Sequence, residues 1–517
     1  MCGVHNCTQE MTVQDLQTFT MTGTAGKRYV TINMPIPGTW YYFLNISNAM
    51  IKDISLSYFS ASFERNSKLN AIKANFAGHT NFDPFVISSI VFDTASALFD
   101  SCTFQQNSFI FLLTNDNAII RNCTFHSYNH STYSPIEVKH STLTLSGSAY
   151  FFNNSVGSPT SELACSGALY VEHSNLNIND RACVHFINNT SDCGGAIFLF
   201  KAIMHIANKV SMYFLENKTR KMHPVWTYRY KFGGAAILLS NSFIYTETNA
   251  KLYFSRNSAG LNGGAILMHY QSSIRFNSNN SIFFTSNVAA YTGGAIQTYL
   301  QASIHITNDT FVYFQNNRAD FEGGAICLIQ GSVFNASANT SIYLHNNTAL
   351  NRGGALIIDS SYLFIINSIL LVENNSASQY AGGGICMSSS SLRVSKNSKI
   401  FFTANHAPLQ GGAVYLSLGG NISIDSSSLM ITYNSANLGG ALYLTASATL
   451  SIASDSVVLF GYNTATERGG AVYANVELGL PCFLIITNYS SEVKFEGNIA
   501  KGEIGMDAYG ASIMCMC

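Results

Sequence analysis

A four-residue phrase, Gly-Gly-Ala-aliphatic or a near copy, recurs eleven times between Cys165 and Val472. Gly263-Gly264-Ala265-Ile266, Gly293-Gly294-Ala295-Ile296, Gly323-Gly324-Ala325-Ile326 and Gly353-Gly354-Ala355-Leu356 are clear copies, their alanines 30 residues apart. The series runs on through Ala413, Ala441 and Ala471, with Gly384 in the alanine's place in one copy. Units this short cannot close a core alone and must bury their apolar faces against neighbours, so the period dictates a stacked repeat protein.

A second phrase precedes each copy at a near-constant offset: an aromatic or aliphatic residue, two variable ones, then Asn. Examples are Phe254 to Asn257, Phe284 to Asn287, Phe314 to Asn317, Phe402 to Asn405 and Phe460 to Asn463. Within the unit 293–322, Ala295–Tyr299, Ser303–Ile306 and Phe311–Phe314 alternate as short strands, separated by corners rich in Asn, Asp or Gly. Helical repeats and leucine-rich horseshoes are excluded by this pattern, and propeller blades need longer units. The expected fold is all-β: a single-stranded right-handed parallel β-helix, three short strands per coil and about 30 residues per coil. Glycines permit the tight corner, the Phe series stacks inside, and the Asn series forms a hydrogen-bonded ladder along the axis.

The period varies along the chain. Phe104 and Phe125, in two Cys-Thr-Phe phrases, are 21 apart. Residues 1–82 are therefore expected as irregular first coils or an N-terminal cap, 83–150 as narrower coils, 151–511 as the regular β-helix and 512–517 as a truncated tail.

Composition narrows function by exclusion. Charged residues are 11% and the net charge is −1, which gives no electrostatic case for nucleic acid. No apolar run reaches membrane-spanning length. The opening Met1-Cys2-Gly3-Val4 lacks a basic-then-apolar leader, and the closing Ile513–Cys517 is not a polar cap, so the expected chain is a piece of a longer protein. Sixteen Asn-X-Ser/Thr sequons, with Asn45, Asn129, Asn279, Asn308, Asn335, Asn421 and Asn488 as glycosylation candidates, favour an extracellular setting. The cysteines agree with it. Cys165 and Cys193 occupy one repeat position a unit apart, as do Cys102 and Cys123; coils about 4.8 Å apart would bring each pair within disulfide range. A ladder of buried thiols explains the same spacing equally well.

No catalytic constellation is legible. Asp309, Asp320, Asp359, Asp425 and Asp455 fall at different places in the repeat, and no metal spacing, phosphate loop or nucleophile elbow occurs. No cofactor is expected. Two features could bind a partner. Tyr415, Tyr443 and Tyr473 hold the position expected to point outward in three successive coils, an aromatic stripe that would also stabilise a sheet by itself. Between Asn217 and Ala235 the gap is 18 residues against the usual 8, and the extra segment carries Arg220, Trp226 and Arg229. Cation-aromatic insertions at solenoid corners suit recognition, or are simply tolerated there.

The paired phrases Gly-Gly-Ala-(Ile/Leu/Val) and Phe-x-x-Asn, over Phe151 to Ala511, resemble the repeats of the chlamydial polymorphic outer-membrane proteins. The resemblance implies a β-helical passenger displayed at a cell surface, with adhesion to a protein or glycan as its role. A β-helical carbohydrate-active enzyme with an unrecognised site, or a spacer whose length is its function, is the alternative.

Overall fold

The computed structural model describes residues 11–14, 19–22, 30–33, 41–44, 49–57, 61–64, 66–77, 88–130, 132–157, 165–220, 233–475, 481–486, 490–502 and 513–516. Contacts divide the chain into a first unit, 1–222 with 235–252, and a second, 223–234 with 253–517. Each is a parallel β-helix, with the right-handed crossover that parallel strands take. No helix occurs among the described residues.

One coil of the second unit shows the plan. Ile296–Thr298, Ser303–Thr307 and Phe311–Gln315 are its three strands, and a fourth piece of two residues, Arg318–Ala319, turns the last corner. Each pairs in parallel with its equivalent one coil on: Ile296 with Ile326, Ile304 with Phe334, Phe314 with Leu344, Ala319 with Ala349. The two-residue strands form a ladder that the repeat pattern does not announce, because two residues carry no alternation to read.

The glycine pair is required twice over at the corner. Gly323 has φ +66°, open to glycine at little cost, while a Cβ on Gly324 would collide with the carbonyl oxygen of Gly354 in the next coil. The alanine that follows is fully buried, and its carbonyl serves two donors: Ala325 O accepts from Ala295 N at 2.8 Å and Ile296 N at 2.9 Å.

The interior matches the expected stacks. In the first unit Phe76, Phe104, Phe125, Phe151, Phe186 and Phe214 form one column with ring centroids 4.5–5.0 Å apart. In the second, Phe254, Phe284 and Phe314 continue the motif at 4.7 Å, after which Leu344 and Val372 take the position. The Asn ladder is complete in its bonding. Asn317 Oδ1 accepts from both Asn287 N at 3.0 Å and Asn287 Nδ2 at 2.9 Å, and Asn317 Nδ2 reaches back to Phe284 O at 2.9 Å. At the other corners, serines do the same work: Ser332 N donates to Ser361 Oγ, Ser361 N to Ser390 Oγ, and Ser398 N to Ser427 Oγ, at 3.1–3.2 Å.

Parallel pairing is also present near the start of the chain. Met11–Gln14 pairs with Tyr41–Leu44, and Tyr41–Leu44 with Ala61–Glu64, in the same parallel register that later coils use. At the far end, Ile513–Met516 pairs with Val472–Asn475 as one more first-sheet strand.

Candidate binding surfaces

The expected tyrosine stripe is not a surface. Tyr415, Tyr443 and Tyr473 do stack in register, their centroids 5.4 Å apart, but they are only 8%, 3% and 4% exposed. They belong to a second apolar cluster outside the tube, with Cys327, Ile357 and Cys386 in the same column and Ala381 and Leu438 packed on it. The cause lies in the residues just before each glycine pair. Backbone bonds such as Gly382 N to Gln410 O, 2.9 Å, run this corner along the axis and fold it over the outer face of the first sheet. A polar stretch of the corner is equally closed: Glu322, 8% exposed, accepts from Arg352 Nη2 at 2.6 Å and Nε at 2.7 Å. Burial pushes the Cys327 and Cys386 thiols up, that of Cys386 to about 12, so neither is an available nucleophile.

Arg220 is not free for recognition either. Its Nη1 donates to Val156 O at 2.6 Å and to Asp192 Oδ1 at 3.0 Å, and its Nη2 to Ser155 Oγ at 2.9 Å. It pins the start of the insertion to the wall. Trp226 and Arg229 lie outside the described residues.

Cys165 and Cys193 form a disulfide between adjacent coils, Cα atoms 4.6 Å apart. Cys102 and Cys123 are likewise neighbours in adjacent coils, at the start of the third sheet, but stand as buried free thiols, Cys102 N donating to Cys123 Sγ at 3.3 Å and each thiol to a backbone carbonyl. There the ladder-of-thiols alternative describes the arrangement. Of the sequon asparagines, Asn129, Asn279 and Asn308 are exposed, while Asn335 and Asn421 are half-buried with Oδ1 enclosed and unpaired; Asn45 and Asn488 lie outside the described residues.

The outer faces carry further columns that sequence reasoning missed. Tyr150, His185 and Tyr213 stack at 4.6 Å on the third sheet of the first unit, and Tyr433 and Tyr462 at 5.2 Å on a corner of the second. Tyr150, His185 and Tyr213 are 35 and then 28 residues apart, so no fixed spacing announced their column. Among the described residues no group of three or more His, Cys, Asp or Glu could hold a metal ion, and no helix is long and apolar enough to cross a membrane.

No curated protein and no solved structure matches the chain significantly. Residues 251–268 and 311–328 match the family model of the Chlamydia polymorphic membrane protein repeat, and each stretch runs from the third strand of one coil into the first strand of the next. The chain is thus a parallel β-helix whose repeats resemble those of the chlamydial polymorphic membrane proteins.

Proposed function

We propose that the protein is a non-catalytic β-helical passenger, displayed at a cell surface, that adheres to a protein or glycan. The supporting observation is the repeat match at 251–268 and 311–328, in a family named for membrane proteins. Thinly charged outer faces built of hydroxyl, amide and aromatic columns suit extended contact better than chemistry at one point. With Arg220 committed to the wall, the proposed contacts in the insertion are Trp226 and Arg229.

The test is adhesion of beads coated with the full chain to epithelial cells, against albumin-coated beads. Adhesion above the albumin control is expected, falling severalfold when Trp226 and Arg229 are both replaced by alanine. Adhesion no better than albumin overturns the reading, as does turnover of any polysaccharide in a reducing-end assay.

A further inference from the structure

On the outer face of the third sheet in the first unit, one column is built from small polar residues where later coils carry rings. Ser55, Asn75 and Thr103 stand in register there, followed by Thr124 and then Tyr150. The small side chains leave an open groove of about 590 Å³, lined by Asp53, Ser55, Lys73, Asn75, Thr103 and Gln105 among others. That volume is in the range of small-ligand sites. Its chemistry is unusual for one, since hydroxyls and carboxamides replace the customary apolar wall.

The positions of these groups follow from the coil. Asp53, Lys73 and Ser101 hold the same left-handed corner in successive turns, with φ of 51°, 51° and 57°. Asp53 N bonds Ile72 O, Lys73 N bonds Asp100 O and Ser101 N bonds Arg121 O, so the corner column is rigid along one edge of the groove. Asn75 has its Oδ1 enclosed without a partner. A carboxamide oxygen turned inward leaves the two Nδ2 hydrogens as the group's other edge.

We infer that this groove binds a neutral, hydroxyl-rich ligand, a disaccharide-sized segment of a glycan. The single carboxylate and single ammonium cancel, which disfavours a phosphate or polyanionic ligand. Ala74 is the one apolar residue among those lining the groove, which disfavours a lipid or an apolar peptide. Three coils span about 10 Å between their outer pair, long enough for two linked sugars. Tyr150 ends its ring stack here: one face lies on His185 at 4.6 Å, and its other neighbour in the column is Thr124, not a ring. Tyr150 lies two coils beyond Thr103, so that face serves only a longer glycan running on past the groove. The inference deepens the adhesive reading and rests on it only for where such a ligand would be met.

Saturation-transfer NMR on the full chain, with lactose, cellobiose, maltose and chitobiose each at millimolar concentration, is the test. Transfer to at least one is expected, with affinity lowered tenfold or more in N75L and in T103V, both checked for wild-type circular dichroism. No transfer to any of the four overturns the inference, as does binding unchanged in both variants. Bead adhesion measured in parallel separates the two claims. Disaccharide binding without adhesion overturns the surface reading alone, and adhesion without disaccharide binding overturns the groove alone.

Discussion

Asn317 has no exposed surface and makes bonds to three neighbours, Asn287, Phe284 and Asn347. Asn317→Ala strips the acceptor from Asn287 N and the donor from Phe284 O. With about 1–3 kcal/mol for each orphaned buried group, the variant should lose about 2–6 kcal/mol in urea unfolding. This ladder was legible because its residue recurs at a fixed offset from the glycine pair. The serine ladders were not, since serine is common everywhere in the chain and marks no single position. Many of the sequons have a structural origin as well. Asn122, Asn153, Asn188, Asn279, Asn308, Asn339, Asn346 and Asn374 all sit at positive φ, between 51° and 64°. Asn tolerates that left-handed corner better than most residues, and a strand beginning two residues on favours Ser or Thr. Corner geometry therefore favours the sequon pattern whether or not a sugar is attached. Expressed through a eukaryotic secretory route, the protein should carry glycans at Asn129, Asn279 and Asn308 and none at Asn189 or Asn217, which are fully buried; glycopeptide mass spectrometry decides it.

The strands were readable in three of their four ladders, and their inward faces follow the period of two. The outward face of the first sheet did not follow from that period, because alternation fixes direction and not what lies over the residue. Corner residues such as Ala381 and Leu438 cover it. Tyr443→Ala should accordingly cost about 3–5 kcal/mol, like Phe314→Ala in the inner stack, whereas an exposed tyrosine would cost little. Thermal unfolding of the two variants side by side checks this. The same covered column in the first unit holds Glu137, 6% exposed, between Phe111 and Tyr170. Burial pushes its carboxyl above the ordinary 4.5, outweighing Lys139 and the Ser134 amide. The folded state then binds the proton more tightly than the unfolded one. Its contribution to stability falls as pH rises from about the ordinary value through the raised one, and is regained on acidification. Glu137→Gln should thus be more stable than wild type at pH 7 and should flatten that part of the profile in urea titrations from pH 4 to 8.

At the scale of the molecule the repeat is modular, since over 266–377 each coil presents to the next the same four ladders in the same register. Deleting 293–322, one 30-residue coil, joins Thr292 to Gly323 at equivalent corner positions. The shortened chain should fold with an unchanged far-ultraviolet spectrum, while deleting half as many residues should abolish the cooperative transition. What the chain contacts was far less legible than how it is built: a groove made by missing bulk leaves no motif, and Ser55, Asn75 and Thr103 are unremarkable until register aligns them. The asparagine ladder has a mechanical corollary. Its bonds, like the backbone bonds beside it, join coil to coil and not strand to strand within a coil. A pull on the last strand of the second unit would load them one coil at a time, as thread unwinds from a spool. Each release would free about 30 residues, roughly 100 Å of slack, giving force traces of even, repeated steps rather than one rupture.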